Sequence, residues 1–220
     1  MAIFETIKKS LNFITDFILP PRDDFAIVKK LDEKAFNSLP KAPPLPNMDW
    51  ISALFHYKDN RVRAIIWKLK YKENTLPLEH IGQLLYEEII ALISDISLFN
   101  AEAEFILIPI PISLERRSER GYNQSEHIAK AILDYDHDRT LTYAPQWLNK
   151  IKETAIQSRS VSREERMRNL VGCFEANPLV EGKYVILIDD VVTTGSTLSE
   201  ARNTLLSAGV RDVFAFTIAH

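Results

Sequence analysis

From Tyr184 to Ala219 the chain reads "YVILIDDVVTTGSTLSEARNTLLSAGVRDVFAFTIA". Two apolar runs, each bounded by charge, enclose a short hydroxyl-rich loop and a segment with helical spacing of Leu198, Ala201 and Leu205. Gly209 stands where a helix ends on a left-handed residue. Two strands joined through a helix of this length cannot form a hairpin. They lie parallel in one sheet, the connection crossing over it in the right-handed sense. That one stretch restricts the fold to the α/β class, with a mostly parallel sheet flanked by helices.

The rest of the chain agrees. "EFILIPIPI" (Glu104 to Ile112) is a further apolar run, suited to a strand buried on both faces and ended sharply at Pro109 to Pro111. Val62, Ile65, Ile66 and Leu69 mark one helix. Leu78, Ile81, Leu85, Ile89 and Leu92 mark the next, which Pro77 opens in its first turn. "NQSEHIAKAIL" begins with Asn123 as a cap and Glu126 three residues on, a capping-box pattern, and Thr197 with Glu200 repeats it on the later helix. Near the start, Ile3, Ile7, Leu11, Ile14 and Ile18 predict an amphipathic helix stopped by Pro20 and Pro21. Its apolar stripe suits docking on the core, with a partner or a membrane surface as the competing uses. "LPKAPPLP" (Leu39 to Pro46) is a stiff connector, so 1–46 is read as an N-terminal helical appendage and 47–220 as the main domain.

Asp189 and Asp190 end the first apolar run of the opening stretch, and "VVTTGST" follows them. In open α/β sheets, ligands bind beyond the carboxyl ends of the strands. The amides and hydroxyls of Thr193, Thr194, Ser196 and Thr197, with the dipole of the following helix, would cradle one phosphate, and Gly195 lets the backbone come close. The two carboxylates repel that phosphate and need donors. The hydroxyls of a sugar carrying the phosphate supply them, so the pattern asks for a ribose 5-phosphate. Hydroxyl residues before a helix are common as caps, but capping alone leaves the acid pair at the strand end unexplained.

The composition narrows the class of partner. A hydrophobic share of 46% with 26% charged residues fits a globular core, and a formal net charge of -3 argues against coating nucleic acid by bulk electrostatics. A single cysteine, Cys173, excludes an internal disulfide and a cysteine-based zinc cluster. The five histidines lack the spacing of a helical metal site, and no protein metal ligands are assigned. Lys8, Lys9 and Asp16 interrupt the first apolar segment, which is unlike a signal peptide, and no apolar run is long enough for a transmembrane segment. The expectation is a soluble, cytoplasmic protein.

"VILIDDVVTTGST" resembles the 5-phosphoribosyl 1-diphosphate (PRPP) binding motif of type I phosphoribosyltransferases. "IPIPISLERRSERGYNQSEHIAKAI", "VRAIIWKLKYKEN" and "KETAIQSRSVSREERMRNLVGCF" are similar to segments of the ComF/GntX branch, the competence-protein ComF family. The resemblance runs from about Phe55 to the C-terminus. It implies a type I phosphoribosyltransferase-like fold in which Asp189 and Asp190 are the catalytic pair that binds the ribose hydroxyls, with Thr193, Thr194, Gly195, Ser196 and Thr197 on the 5-phosphate. That family usually carries an N-terminal cysteine-rich zinc segment. "LPPRDDFAIVKKLDEKAFNSLP" occupies the equivalent region here without cysteines, so zinc is not carried over.

The resemblance also implies a chemistry. Such transferases displace diphosphate from PRPP with a nitrogen nucleophile, and Mg²⁺ on the phosphate oxygens suits the charge that builds on the leaving group. Arg116, Arg117 and Arg120 are candidates for the diphosphate grip, or else a solvated surface paired with Glu115 and Glu119. Lys152 and Arg166 are candidates in a segment that either closes as a lid or forms an exposed helix with internal ion pairs. Lys68, Lys70 and Tyr71 fall near the same end of the molecule. Two function classes stay open: a pentosyl-transferring enzyme with an unidentified acceptor, and a non-catalytic accessory or sensor. The second would work through DNA-uptake proteins or single-stranded DNA, for which Tyr122, Tyr143 and Trp147 are stacking candidates beside the arginines. A homo-oligomer is left open.

Overall fold

A computed structural model describes residues 33–71, 76–113, 117–118, 121–152 and 171–220. Its three apolar runs form the centre of one sheet. Strand β2 (Phe105–Pro109) is buried at all five positions. Beside it lies β6 (Tyr184–Val191), and beyond that β7 (Asp212–Ala219). Side chains alternate between the two faces of β6, Val185 and Leu187 entering one apolar cluster and Ile186 and Ile188 the other. All four are fully buried, and each such residue contributes roughly 2 kcal/mol of transfer free energy. Burial on both faces is why the run is continuous rather than alternating.

Helices cover both faces. Helix α2 (Asn60–Tyr71), α3 (Leu76–Ser97) and α4 (Gln124–Leu133) pack Ile65, Ile89 and Ile128 into one cluster. Helix α5 (Ser196–Ser207) packs Leu198, Ala201 and Leu205 into the other. The two helices marked by the earlier apolar spacing are therefore present, with Pro77 in the first turn of α3. Two further strands complete the main sheet, β1 (Ile51–Phe55) at one edge and β3 (Leu141–Tyr143) at the other. A separate antiparallel ribbon pairs β4 (Leu148–Lys150) with β5 (Phe174–Ala176).

The connector before β1 runs along the sheet edge. Phe36, in the short helix α1 (Glu33–Asn37), and Leu39 are both buried in the core. Ala42 N donates to Leu54 O at 3.2 Å, and Lys41 forms an antiparallel bridge with Phe55. The amphipathic helix expected over residues 3–18 lies outside the described residues.

Strand order is β1-β7-β6-β2-β3, and every neighbouring pair is parallel. The expected α/β fold with its parallel β6–α5–β7 unit is what the chain adopts. From β2 the chain moves outward to β3, whereas from β6 it moves the opposite way to β7. The carboxyl ends of β2 and β6 therefore flank the point where the winding reverses, the place where open α/β sheets hold their ligands.

Candidate functional site

The acid pair sits at that reversal. Asp189 and Asp190 are both partly buried near the end of β6, and the loop that follows β2 begins directly alongside. Asp190 N donates to Asp189 Oδ1 at 2.9 Å, and Val191 N donates to Asp190 Oδ1 at 2.8 Å. Asp189 Oδ1 also accepts from Ser125 Oγ at 3.0 Å, across from the start of α4. These donors hold two adjacent carboxylates in fixed directions where neither strand nor helix would orient them.

Beyond the acids the chain turns into an open cradle lined by Asp189, Val191 and Val192, by Thr193, Thr194, Gly195, Ser196 and Thr197, and by Leu198. Gly195 has φ +72°, a left-handed conformation that tips the loop into the helix. Thr194 Oγ1 and Ser196 Oγ share a hydrogen bond of 2.8 Å. Thr193 is exposed, whereas Ser196 is buried. The wall is mostly polar and includes the first residues of α5, and a helix N-terminus favours an anion.

One expected detail is corrected. Thr197 and Glu200 do not form the capping box. Helix α5 already begins at Ser196 with Gly195 at the cap position, and that cap makes no side-chain hydrogen bond. Glu200 Oε1 instead accepts from Gly172 N at 2.6 Å, tying α5 to the chain just ahead of β5. Thr197 lines the cradle rather than closing the helix end.

The loop after β2 is anchored at both ends of the site. Ile110 N donates to Ile188 O at 2.9 Å, extending the β2–β6 ladder by one step. Asn123, buried at the cap of α4, donates from Nδ2 to Ile110 O at 3.0 Å and accepts from Ser125 N at 3.1 Å. Of the three loop arginines, Arg117 is described. It forms a forked pair with Glu126 of α4, with contacts of 3.0 and 3.3 Å, and its side chain remains more than half exposed. Glu126 is thereby committed to Arg117 rather than to a capping box. Arg116 and Arg120 lie outside the described residues.

Lys152 is exposed at the end of the β4 side of the ribbon, its ammonium 3.2 Å from where a Cβ on Gly172 would stand. It is not among the residues that line the cradle. Arg166 and the rest of 153–170, including the expected cap at Ser162 and Glu165, lie outside the described residues. Tyr122 ties its hydroxyl to Leu69 O at 3.0 Å, joining the end of α2 to this loop, and its ring stacks on His127 with centroids 4.8 Å apart. The backbone at Leu69, near the end of α2, thus lies beside Tyr122. Ser125 was not singled out from the sequence. The available signal was three consecutive polar residues, Asn123, Gln124 and Ser125, all buried at the start of an otherwise apolar helix face.

Burial pushes the Cys173 thiol up, the charges of Lys150 and Lys152 opposing it, so this cysteine is a neutral core group. Among the described residues no cluster of three or more His, Cys, Asp or Glu gathers around a metal-sized space. Nor, among them, is any helix long and apolar enough to cross a membrane.

Residues 136–219 match the family profile described as a phosphoribosyl transferase domain. The chain is 34% identical over 118 residues to the competence protein ComFC of Bacillus subtilis, covering 53% of this chain and 45% of that one. It is 27% identical over 149 residues to the DNA utilization protein YhgH of Salmonella typhimurium, covering 68% of this chain and 63% of the relative. The match therefore spans about half the length of these curated relatives. A solved glutamine PRPP amidotransferase of B. subtilis, complexed with ADP and GMP, superposes with a TM-score of 0.38 at 17% identity, over 69% of this chain and 30% of that one. With the acid pair and hydroxyl loop set at the reversal of a parallel sheet, residues 136–219 carry a phosphoribosyl transferase domain, in a chain similar to the ComFC competence and YhgH DNA-utilization proteins.

Proposed function

We propose that this protein binds PRPP, or another ribose 5-phosphate group, together with Mg²⁺, and transfers the phosphoribosyl group to a nitrogen acceptor in the cytoplasm. The observation that carries the reading is the pairing of two oriented carboxylates with a polar cradle at one strand end. A ribose 5-phosphate has the complementary pattern, vicinal hydroxyl donors at one side and a dianion at the other. In the transfer, the bond from the ribose C1 to diphosphate breaks, diphosphate leaves with the electron pair, and the acceptor nitrogen forms the new bond and gives up a proton.

Each part of the site has a separate task. Asp189 and Asp190 fix the sugar, and Thr193 to Thr197 neutralise and hold its 5-phosphate. Arg117 stands on the loop next to the reacting end and can exchange Glu126 for a diphosphate oxygen. Arg116, Arg120, Lys152 and Arg166 are further candidates for contact with the diphosphate. Two adjacent carboxylates fit a Mg²⁺ ion that takes most of its shell from diphosphate and water. When bound, Mg²⁺ would neutralise charge on the departing group.

A second reading is supported by the relatives' names, competence protein and DNA utilization protein. In it the pocket senses ribose phosphates and the protein acts through DNA-uptake partners or single-stranded DNA without turnover. The test is calorimetry with PRPP, with and without Mg²⁺, on the wild type and on the double variant Asp189→Asn, Asp190→Asn. Mg²⁺-dependent binding that the double variant loses while it remains folded supports the pocket, and acceptor screening then separates enzyme from sensor. Equal affinity in the two proteins would remove the site assignment.

A further inference from the structure

The hydrogen bonds around Ser125 close a circuit. Ile188 O accepts from Ile110 N, Ile110 O accepts from Asn123 Nδ2, Asn123 Oδ1 accepts from Ser125 N, and Ser125 Oγ donates to Asp189 Oδ1. The path leaves β6 at Ile188, passes through the end of β2 and the cap of α4, and returns to β6 at the next residue. Asn123 and Ser125 are 1% and 3% exposed, so water does not compete for these bonds. A polar residue facing the core from the second position of a helix has to be satisfied, and Ser125 meets that demand through a carboxylate of the ligand site.

We infer that Ser125 is a positioning residue that sets the direction of the Asp189 carboxylate and thereby the grip on the sugar hydroxyls. The inference rests on the ribose-phosphate reading of the site. Asp189 Oδ1 accepts from Asp190 N of its own strand and from Ser125 Oγ of α4. The first fixes the carboxylate relative to β6. The second fixes it relative to α4, the wall across the crevice. Removing the hydroxyl takes away the α4-side donor and loosens the orientation of the carboxylate, which weakens binding of the sugar but does not touch the phosphate cradle formed by 193–197.

The test uses ribose 5-phosphate and inorganic phosphate as probes, by calorimetry on the full chain. Ser125→Ala keeps helix propensity and removes only the hydroxyl, so the fold is retained. Its affinity for ribose 5-phosphate is expected to fall about tenfold, the scale of a lost hydrogen bond to a charged group. Its affinity for inorganic phosphate is expected to stay within about twofold of wild type. In an Asp189→Asn background, Ser125→Ala is expected to have no further effect, because its action passes through that carboxylate. Unchanged ribose 5-phosphate affinity in Ser125→Ala, with Asp189→Asn still impaired, would overturn the positioning role and leave the site reading standing. A parallel loss of both ligands would overturn it too, since that marks a general distortion of α4. A wild type that binds ribose 5-phosphate no better than phosphate, and is indifferent to Asp189→Asn, would overturn the ribose-phosphate reading itself.

Discussion

Gly172 N donates to Glu200 Oε1 at 2.6 Å, joining the approach to β5 to the first turns of α5. The acceptor is a carboxylate and the donor is half-buried, so the bond is charge-assisted and partly shielded from water. Glu200→Ala is expected to lower stability by about 1.5 kcal/mol, because it strands an amide while leaving helix propensity intact. Glu200→Gln, which keeps an acceptor without the charge, should recover part of that loss. Urea unfolding of the three proteins checks both statements.

Gly195 has φ +72°, a region that costs an L-residue about 1 kcal/mol. A Cβ there would also come within 2.6 Å of Met48 Sδ and 2.9 Å of Met48 Cε. The methionine is flexible and can move aside, so the steric part is small and the backbone part persists. Gly195→Ala is therefore expected to cost about 1–3 kcal/mol and to weaken ribose 5-phosphate binding about tenfold or more, as the loop amides turn away. Thermal unfolding and calorimetry read the two effects separately. Full binding with lowered stability would mean that the left-handed turn serves the helix start and not the ligand.

Much of this architecture is legible in the sequence where a run is long enough to carry a period. The strands at 105–109, 184–191 and 212–219 are continuous apolar runs, and α2, α3, α4 and α5 each show a helical stripe. Strand β1 escapes because "ISALF" is only five residues long, with Ser52 and Ala53 in its centre. Strands β3, β4 and β5 have three residues each, too few to show alternation. The acid pair and hydroxyl loop are contiguous and can be read directly. Ser125 and the Glu200 contact cannot, because their partners lie 64 and 28 residues away and are chosen by strand order. Local pattern assigned Glu200 and Glu126 to capping boxes, and in both cases a long-range donor or a cation took the carboxylate instead.

Gly82 sits where α3 comes close to the backbone of α4. A Cβ on it would lie 2.5 Å from Ala131 O and 2.6 Å from Ala131 C, both backbone atoms that cannot rotate away. Gly82→Ala must push the two helices apart, and overpacking of this kind costs about 2–3 kcal/mol despite the gain in helix propensity. Because α4 carries Asn123 and Ser125, the displacement reaches the acid pair as well. Lower urea stability together with weaker ribose 5-phosphate binding is the expected result. A stabilised protein would show that the helix pair yields more readily than its backbone contact implies.

Glu88 lies on α3 in a groove it shares with Trp50, Ser52, Phe214 and Phe216, at the β1–β7 edge and away from the acid pair. Burial pushes its carboxyl above the ordinary range, with Lys41 pulling partly in the other direction. The folded state therefore holds the proton more tightly than the unfolded chain does. That preference favours folding below the unfolded carboxyl's range and turns into a cost as pH rises through the folded value. At neutral pH the ionised side chain bears a desolvation penalty that an amide of the same shape avoids. Glu88→Gln is thus expected to be more stable than wild type at about pH 7, by about 1 kcal/mol or less, with the difference vanishing near pH 3, below the unfolded carboxyl's range, where both side chains are uncharged. Paired urea titrations at the two pH values decide it. A variant less stable at neutral pH would mean that attraction to Lys41 outweighs burial in this groove.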